Sequence, residues 1–147
     1  NFGKLDFKKF HPGGSLSVKL KTVSDIMFTG NKIPFVQENT TMKDALNVIT
    51  KKGLGVLLIK KKNITTGILT DGDLKRLNRK FENFQKLKIK TVMKKNPVSI
   101  DKNALAAQAL SIMNVKKITS LCVHKGNQKN KTVGIIHIHN ILKANIS

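Results

Sequence analysis

Hydroxyl and carboxylate side chains stand together where a short apolar segment gives way to a helix-like one. Thr70, Asp71 and Asp73 occupy this junction. A threonine hydroxyl can donate or accept a hydrogen bond, and a carboxylate can accept two from sugar hydroxyls. A helix that starts here offers backbone amides to a phosphate, and Gly55 lets backbone approach a base closely. These groups fit recognition of a nucleotide-like ligand, but Asp71 and Asp73 fit helix capping equally well.

A second group of polar side chains stands at a similar junction near the end of the chain. His137 replaces the threonine there, and Asn140 replaces the aspartate. Asparagine can hydrogen-bond a sugar, but it cannot act as a charged double acceptor. His137 and His139 can contact a phosphate when they are protonated. The other polar candidates, at the start of the preceding strand, are Thr119 and Ser120.

The two junctions belong to two copies of one sequence pattern. Three landmarks recur in the same order at a spacing of about 65 residues. The small drift in this spacing is expected to fall in loops, which tolerate insertions. The matched segments are 23–27 with 89–93, 44–46 with 108–110, and 67–69 with 134–136. The chain is therefore predicted to repeat one structural unit.

Each copy alternates helical and strand periodicity. A helix is predicted after Thr41, with Asp44 completing a capping box and Gly53 ending the helix. In the second copy, Asp101 or Asn103 is the predicted cap of the corresponding helix. The other predicted elements are strands at 55–59, 64–70, 119–124 and 132–136, helices at 71–81 and 139–144, and lead-ins at 33–36 and 97–100.

The predicted fold class is α/β, of the α+β type, with two βαββα units packed as a pseudo-twofold pair. One unit of about 60 residues buries too little surface alone, whereas two units packed face to face can form a core. The units are predicted at 21–85 and 86–147, after a linker-like segment at 1–20.

The motifs that mark each copy resemble those of CBS domains. They are SDIM at 24–27, DAL at 44–46 and GILTDGD at 67–73. Two CBS domains in tandem form a Bateman module, and the resemblance covers 21–147. It implies a regulatory module that recognises a small molecule and is not itself a catalyst. The ligand-binding residues that it implies are the polar groups of the two junctions named above.

A narrower resemblance links the chain to bacterial arabinose-5-phosphate isomerases. GLG at 53–55, TDGDLKR at 70–76, ALAAQAL at 104–110 and HIHNIL at 137–142 are similar to the CBS pair of that family. HPGGSL at 11–16 is similar to the end of the family's sugar-isomerase (SIS) domain, although Ser17 stands where the motif continues with Gly. This implies that residues 1–20 are an SIS-domain remnant or linker. It also implies a parent aldose-ketose isomerase of Kdo and lipopolysaccharide biosynthesis.

His11 matches the histidine of that SIS motif and is a candidate catalytic residue only in the intact enzyme. Isomerisation needs a base within hydrogen-bond reach of the substrate carbon. No sugar pocket can be assembled around His11 from these 147 residues. No catalytic residue is therefore predicted here, and the chain is interpreted as a regulatory region or the tail of a longer protein.

The net charge of +20 raises the possibility of a nucleic-acid partner. Only Arg76 and Arg79 among the 28 basic residues are arginine, and the chain has no Trp or Tyr. Arginine is the usual reader of phosphate forks and base edges, and aromatic rings are the usual stacking platforms. Specific nucleic-acid binding is therefore not predicted, but a basic surface favours anionic ligands.

Localisation and metal content are predicted from a few further residues. Cys122 lies in an apolar run and is read as a buried strand residue, so a disulfide framework is excluded. No apolar stretch reaches membrane-spanning length, and residues 1–9 lack a signal-peptide pattern. A cytoplasmic protein is predicted. His124, His137 and His139 lack a carboxylate or thiolate partner, so no metal site is predicted.

The leading functional hypothesis is therefore a ligand-sensing regulator of an attached SIS domain. No cofactor is required, and the expected regulatory ligand is an adenosine nucleotide or CMP-Kdo. The alternative is a structural module that holds subunits together without a ligand, and non-specific nucleic-acid binding comes third. A homodimer through the CBS helices is expected. Apolar helix positions that suit it, or an internal core, are Ile112, Met113, Ile141 and Leu142.

Overall fold

The computed structural model describes residues 20–144, which form two sheets and five α-helices. In chain order these elements are α1 (Val23–Ile26), β1 (Phe35–Gln37), α2 (Met42–Lys52), β2 (Val56–Lys61), β3 (Ile64–Thr70), α3 (Asp71–Lys80), β4 (Lys94–Lys95), β5 (Ser99–Asp101), α4 (Ala106–Lys116), β6 (Ser120–His124), β7 (Gly134–His137) and α5 (Ile138–Lys143). Short 3-10 helices lie at Gly30–Lys32, Phe84–Lys86 and Ile89–Thr91.

The chain divides into two compact units. The unit formed by 29–98 and 130–132 is called the Thr70 unit. The unit formed by 20–28, 99–129 and 133–144 is called the His137 unit. Each contains the helix–strand–strand–helix succession that the sequence repeat predicts, so the predicted α/β fold class is confirmed.

The Thr70 unit is built on a four-stranded sheet with the order β1-β2-β3-β4. β1 runs parallel to β2, and the other pairs are antiparallel. Strand β2 is apolar and buried over its first four residues, which is typical of a strand covered on both faces. The core residues contributed by the sheet and the two helices are Val36, Met42, Ala45, Ile49, Leu57, Ile59, Leu69 and Leu77.

Helix α2 begins after Thr41 and ends at Gly53 as the sequence predicts, but only the Thr41 half of the predicted capping box forms. The Thr41 hydroxyl accepts a hydrogen bond from Asp44 N at 3.3 Å, which satisfies one amide of the first turn. Gly53 follows the last turn with φ +73, in the left-handed region that favours glycine. Three apolar side chains on one helical face are buried between these ends, namely Met42, Ala45 and Ile49.

The His137 unit has a three-stranded sheet with the order β5-β6-β7, parallel and then antiparallel. All five residues of β6, including Cys122, are buried. Strand β7 begins at Gly134 rather than at the predicted Thr132. The reason is that Thr132 belongs to the Thr70 unit, where its hydroxyl hydrogen-bonds that of Thr65 at 2.6 Å.

The prediction that Asp101 or Asn103 caps α4 is wrong. Helix α4 begins after Leu105, whose N–H donates to Gln108 Oε1 at 2.9 Å. The Asp101 carboxylate instead accepts hydrogen bonds from Asn103 N and Gly126 N, both at 2.8 Å. These backbone N–H groups hold the pKa of the Asp101 carboxyl below its ordinary value. The Asp101 carboxylate therefore joins two loops at the end of β5. Both of its oxygens accept hydrogen bonds there, so it does not cap α4.

The lead-in segment 20–28 lies in the His137 unit, although it precedes the Thr70 unit in sequence. Phe28 and Ile135 exchange backbone hydrogen bonds of 2.9 and 3.0 Å. A Cβ on Gly134 would lie 2.5 Å from Met27 Sδ, so only glycine leaves room for this methionine. In the Thr70 unit, Met93 covers Gly67 in the same way. The repeat boundaries at 21–85 and 86–147 remain a prediction. In the compact units, the first lead-in (20–28) belongs with the strands of the second copy, and residues up to 98 belong with those of the first.

Candidate ligand-binding site

The junction between β3 and α3 is held by a reciprocal pair of hydrogen bonds. Thr70 is the N-cap residue, and its hydroxyl accepts from Asp73 N at 3.2 Å. Asp73 Oδ2 accepts from Thr70 N at 2.9 Å and from the Thr70 hydroxyl at 3.0 Å. This is a complete capping box, which satisfies two of the backbone amides that a helix start leaves open. The capping role that the sequence suggested for Asp73 is therefore present.

The second carboxylate oxygen of Asp73 forms ion pairs with two cationic side chains from different elements. Asp73 Oδ1 lies 2.5 Å from Arg76 Nη2 on α3 and 3.1 Å from Lys94 Nζ on β4. Burial by itself would raise the pKa of the Asp73 carboxyl. Hydrogen bonds from Thr70 N–H, Arg76, Lys94 and the Thr70 hydroxyl outweigh it, and they hold the pKa below its ordinary value. Asp73 is therefore a buried, charged anchor rather than an open acceptor.

Asp71 is the carboxylate that remains accessible at this junction. Its side chain is exposed, and within 20–144 its carboxylate makes no hydrogen bond or ion pair. Its backbone N–H donates to Gly55 O at 3.0 Å, which ties the start of α3 to the start of β2. Gly55 has φ +70, and a Cβ there would lie 2.8 Å from Asp71 Oδ2. The structure thus brings together all four residues that the sequence predicted for this copy.

The corresponding junction of the His137 unit uses imidazole and amide groups. His137 Nδ1 accepts a hydrogen bond from His139 N at 3.1 Å, and Asn140 Oδ1 accepts from His137 N at 2.7 Å. The two imidazole rings lie 4.5 Å apart, with His137 buried and His139 exposed. Thr119 O accepts from Ile138 N at 2.8 Å, as Gly55 O does from Asp71 N. The predicted residues therefore meet here too.

The register of each sheet shows which residues correspond between the two junctions. Lys94 pairs with Ile68 next to β3, and Phe28 pairs with Ile135 next to β7. Phe28 thus stands where the other unit has Lys94. Ile138, the first residue of α5, stands where α3 begins with Asp71. Ser120, which the sequence also suggested, is buried in β6 opposite His137. The His137 unit therefore has no carboxylate at this junction.

Sequence reasoning missed Arg76 and Lys94. Arg76 follows Asp73 by three residues, a helical spacing at which opposite charges meet, so this pair was available as a signal. Lys94 was not predictable because it reaches Asp73 through the β3–β4 pairing of two residues. The remaining predicted site residue, His11, lies outside the described residues.

Two absences hold for the described part of the chain. Residues 20–144 contain no group of three His, Cys, Asp or Glu side chains placed to hold a metal ion. His124 is buried, and its Nδ1 forms a hydrogen bond with the Ser99 hydroxyl. None of the helices in this range is both long enough and apolar enough to span a bilayer.

Comparison with known proteins identifies relatives over nearly the whole chain. The CBS domain family matches residues 23–80 and 89–147. Arabinose 5-phosphate isomerase KdsD of Salmonella typhi is 40% identical over 147 residues, which are 99% of this chain and 44% of that protein. KdsD of Yersinia pestis is 39% identical with the same coverage. The chain therefore spans less than half the length of these curated relatives.

Solved structures with the same fold include CBS proteins that carry a nucleotide. CBSX2 in complex with AMP matches with a TM-score of 0.73 and 22% identity, over 84% of this chain and 95% of that one. The CBS domain protein PAE2072 from Pyrobaculum aerophilum complexed with AMP matches with a TM-score of 0.69 and 13% identity, over 82% and 89%. At this level of identity the likeness concerns the fold.

Proposed function

This chain belongs to the CBS domain family, and from that premise we propose that it senses an anionic nucleotide or nucleotide-sugar and regulates an attached sugar-phosphate isomerase. The observation that carries the proposal is the exposed Asp71 carboxylate beside Gly55 at the start of α3. A carboxylate without a partner is disposed to accept hydrogen bonds from ligand hydroxyls. Capping alone does not account for Asp71, because the capping box uses Asp73.

The proposed ligand places its sugar and its anionic group on different sides of this junction. Asp71 and the backbone at Gly55 take the ribose and the base edge. The first turn of α3 attracts a phosphate through its helix dipole. Two CBS proteins of the same fold are complexed with AMP, which supports an adenosine nucleotide as the first ligand to test. CMP-Kdo is the alternative, since it would act as a downstream feedback ligand.

The attached enzyme is proposed from the relatives. KdsD proteins named as arabinose 5-phosphate isomerases are about two-fifths identical to this chain, which spans 44% of their length. We propose that the parent protein is such an isomerase, with an SIS catalytic domain, in the Kdo and lipopolysaccharide pathway of the cytoplasm. Ligand occupancy of the CBS domains would then change the activity of that catalytic domain. His11 would take part in catalysis only within the complete enzyme.

A thermal-shift experiment tests ligand sensing. The chain is heated with AMP, ADP, ATP, CMP, CMP-Kdo and arabinose 5-phosphate in turn. A ligand at about a hundred times its dissociation constant should stabilise the fold by roughly 2.7 kcal/mol. Asp71→Asn should strongly reduce a selective shift, because asparagine cannot act as a charged double acceptor, without changing the melting temperature of the ligand-free protein.

Asp44→Asn is the matched control for that experiment. Asp44 is also an exposed aspartate in the first turn of a helix, but it lies on α2, away from the β3–α3 junction. This variant should keep the full ligand shift. Absence of a shift with every compound on a well-folded sample would reject ligand sensing and favour the assembly role described next.

An assembly role is the second candidate, and two exposed apolar side chains on contacting helices of the His137 unit, together called the apolar face, favour it. Val115 on α4 is 78% exposed, and Leu142 on α5 is 58% exposed. Ile112, three residues before Val115 on α4, is half-buried, whereas Met113 and Ile141 are buried in the core. Self-association through Val115 and Leu142 would bury apolar surface from both copies. We propose this face of the His137 unit as the site of a homodimer.

A further inference from the structure

We infer that Arg76 and Lys94 form the phosphate-binding pair of the Thr70 unit, and that Asp73 positions them for this task. The inference rests on the proposed function, because it names the groups that would receive the anionic part of the ligand. It adds a residue from β4, outside the β3–α3 junction, and it makes the two units unequal in ligand binding.

Asp73 fixes the location of both cations. Its Oδ2 is held by the backbone and hydroxyl of Thr70, so the carboxylate cannot turn away from the junction. Its Oδ1 then contacts Arg76 Nη2 and Lys94 Nζ together. Two long side chains that would otherwise sample many rotamers are thereby gathered at one point. An ordered pair loses less conformational entropy when a phosphate binds.

Both cations keep donors for a ligand. A guanidinium has five N–H donors and an ammonium has three, and each of these ion pairs occupies only part of that capacity. The Asp73 side chain is 7% exposed, whereas those of Arg76 and Lys94 are 61% and 65% exposed. Their remaining N–H groups are therefore accessible to a solvent-borne anion while Asp73 stays covered.

The guanidinium of Arg76 lies over the first turn of α3. Its Nη1 and Nη2 are both 3.6 Å from the position that a Cβ on Gly72 would occupy. The first amides of a helix have no partner within the helix, and they favour negative charge. Asp71 N and Asp73 N are already engaged by Gly55 O and the Thr70 hydroxyl, so a phosphate placed there would meet both side chains and the positive end of the helix dipole. The two cations balance the charges of Asp73 and Asp71 at this junction, so the attraction for a phosphate comes from their remaining N–H donors rather than from an excess of positive charge.

The His137 unit lacks each part of this arrangement except a basic side chain. Asn140 replaces Asp73 at the third position of the helix, and Phe28 replaces Lys94 beside the sheet. Lys143 follows Asn140 by three residues, as Arg76 follows Asp73, but an uncharged amide cannot hold it in place by an ion pair. We therefore expect one tightly bound nucleotide per chain, in the Thr70 unit.

Calorimetric titration of the 147-residue chain with a nucleotide and its nucleoside tests this inference. AMP and adenosine form one pair of probes, and CMP and cytidine form a second. Arg76→Gln and Lys94→Gln should each weaken binding of the nucleotide by about tenfold or more, because each removes a charge-assisted hydrogen bond. Binding of the nucleoside should stay within about twofold of the parent chain, since it has no phosphate. The stoichiometry should be one nucleotide per chain.

Lys75→Gln and Lys95→Gln are the matched controls. Each is an exposed lysine next to one member of the pair, on the same element. They decide whether any loss is local, because a chain of net charge +20 attracts anions everywhere. Both controls should bind the nucleotide within about twofold of the parent chain. Melting temperatures of Arg76→Gln and Lys94→Gln should stay close to the parent, since Asp73 retains one cation and Thr70 in either variant.

The outcomes separate the inference from the proposed function. Unchanged nucleotide affinity in Arg76→Gln and Lys94→Gln would overturn the inference and leave ligand sensing intact. Equal weakening of nucleotide and nucleoside would also overturn it, because the pair would then support only the fold. Two equivalent sites per chain would reject the asymmetry. A parent chain that binds none of the four probes would reject nucleotide sensing itself, and the inference with it.

Discussion

Gly55, just before β2, meets Asp71, the first residue of α3: Asp71 N donates to Gly55 O at 3.0 Å, and the Asp71 carboxylate fills the space beside residue 55. This contact links the segment before β2 to the start of α3 and leaves a carboxylate exposed at the same point. The relationship explains why a glycine stands there. A side chain at residue 55 would have to displace the group that we propose to bind the ligand.

Gly55→Ala should therefore damage ligand binding more than folding. Its φ of +70 costs a non-glycine residue roughly 1–2 kcal/mol. The added Cβ would lie 2.8 Å from Asp71 Oδ2, but that side chain is exposed and can swing aside. Urea unfolding measures the loss of stability, and titration with AMP measures the loss of affinity.

Gly53→Ala is the control for the cost of placing a non-glycine residue at a positive φ. Gly53 has φ +73 and no atom within 4 Å of its would-be Cβ. We expect the two variants to lose similar amounts of stability, and only Gly55→Ala to bind AMP more weakly. Equal affinity in both variants would argue that Asp71 does not contact the ligand.

Asp73 should make the free energy of unfolding depend on pH in the acid range. Its pKa in the folded state is lowered, so it contributes stability above the unfolded pKa of about 3.9. That contribution is lost as the pH falls through the folded pKa. Asp73→Asn should therefore be less stable than the parent chain at pH 7, and the gap should narrow below about pH 4.

Urea unfolding of both proteins between pH 3 and pH 7 measures this gap. Asp25 and Asp101 also have lowered pKa values, through hydrogen bonds chiefly from Thr22 and from Asn103. They titrate in both proteins and cancel in the difference. A gap that stays constant with pH would show that Asp73 acts by packing rather than by its charge.

The sequence predicted elements and local caps better than contacts between distant segments. The helix after Thr41 and its stop at Gly53 follow from hydrogen bonds and φ values within a few residues, so they were readable in advance. The cap of α4 was not, because Asp101 is engaged by Gly126, which lies 25 residues further along the chain. The same limit applies to the candidate site, where Lys94 reaches Asp73 from a different element.

Introducing charged side chains at the apolar face tests the assembly role. Changing Val115 and Leu142 together to Lys should weaken self-association at least about tenfold, because burying two such side chains contributes roughly 1.5–3 kcal/mol each. Sedimentation of a concentration series measures the effect. Both side chains are exposed, so the folded monomer should keep its stability.

The counterpart helices of the Thr70 unit supply the control. Lys51 on α2 and Lys75 on α3 occupy the positions that correspond to Val115 and Leu142. Changing these two lysines to Gln should leave the association constant unchanged. A parent chain that sediments as a monomer at all concentrations would remove this face from the account of assembly.

Gly134→Ala should destabilise the His137 unit through steric overlap alone. The φ of Gly134 lies outside the left-handed region, so alanine suffers no backbone strain there. Its Cβ would lie 2.5 Å from Met27 Sδ and 2.9 Å from Phe28 O. The methionine can move, but the carbonyl is held because Phe28 and Ile135 exchange two backbone hydrogen bonds. Overpacking of this kind costs typically about 1–3 kcal/mol, measurable by urea unfolding.

Adding Met27→Ala to this variant should recover only part of the loss, because it relieves the sulfur contact and not the carbonyl contact. Gly72→Ala is the control, since a Cβ there has only ordinary contacts at 3.6 Å or more and no positive φ; it should be close to neutral. Full recovery in the double variant would mean that the backbone at Phe28 yields. The result matters for the repeat as a whole, because Met27 and Gly134 are both sequence landmarks that come from different copies. A loss of stability in Gly134→Ala would show that this contact helps to hold the lead-in of the first copy against the sheet of the second copy.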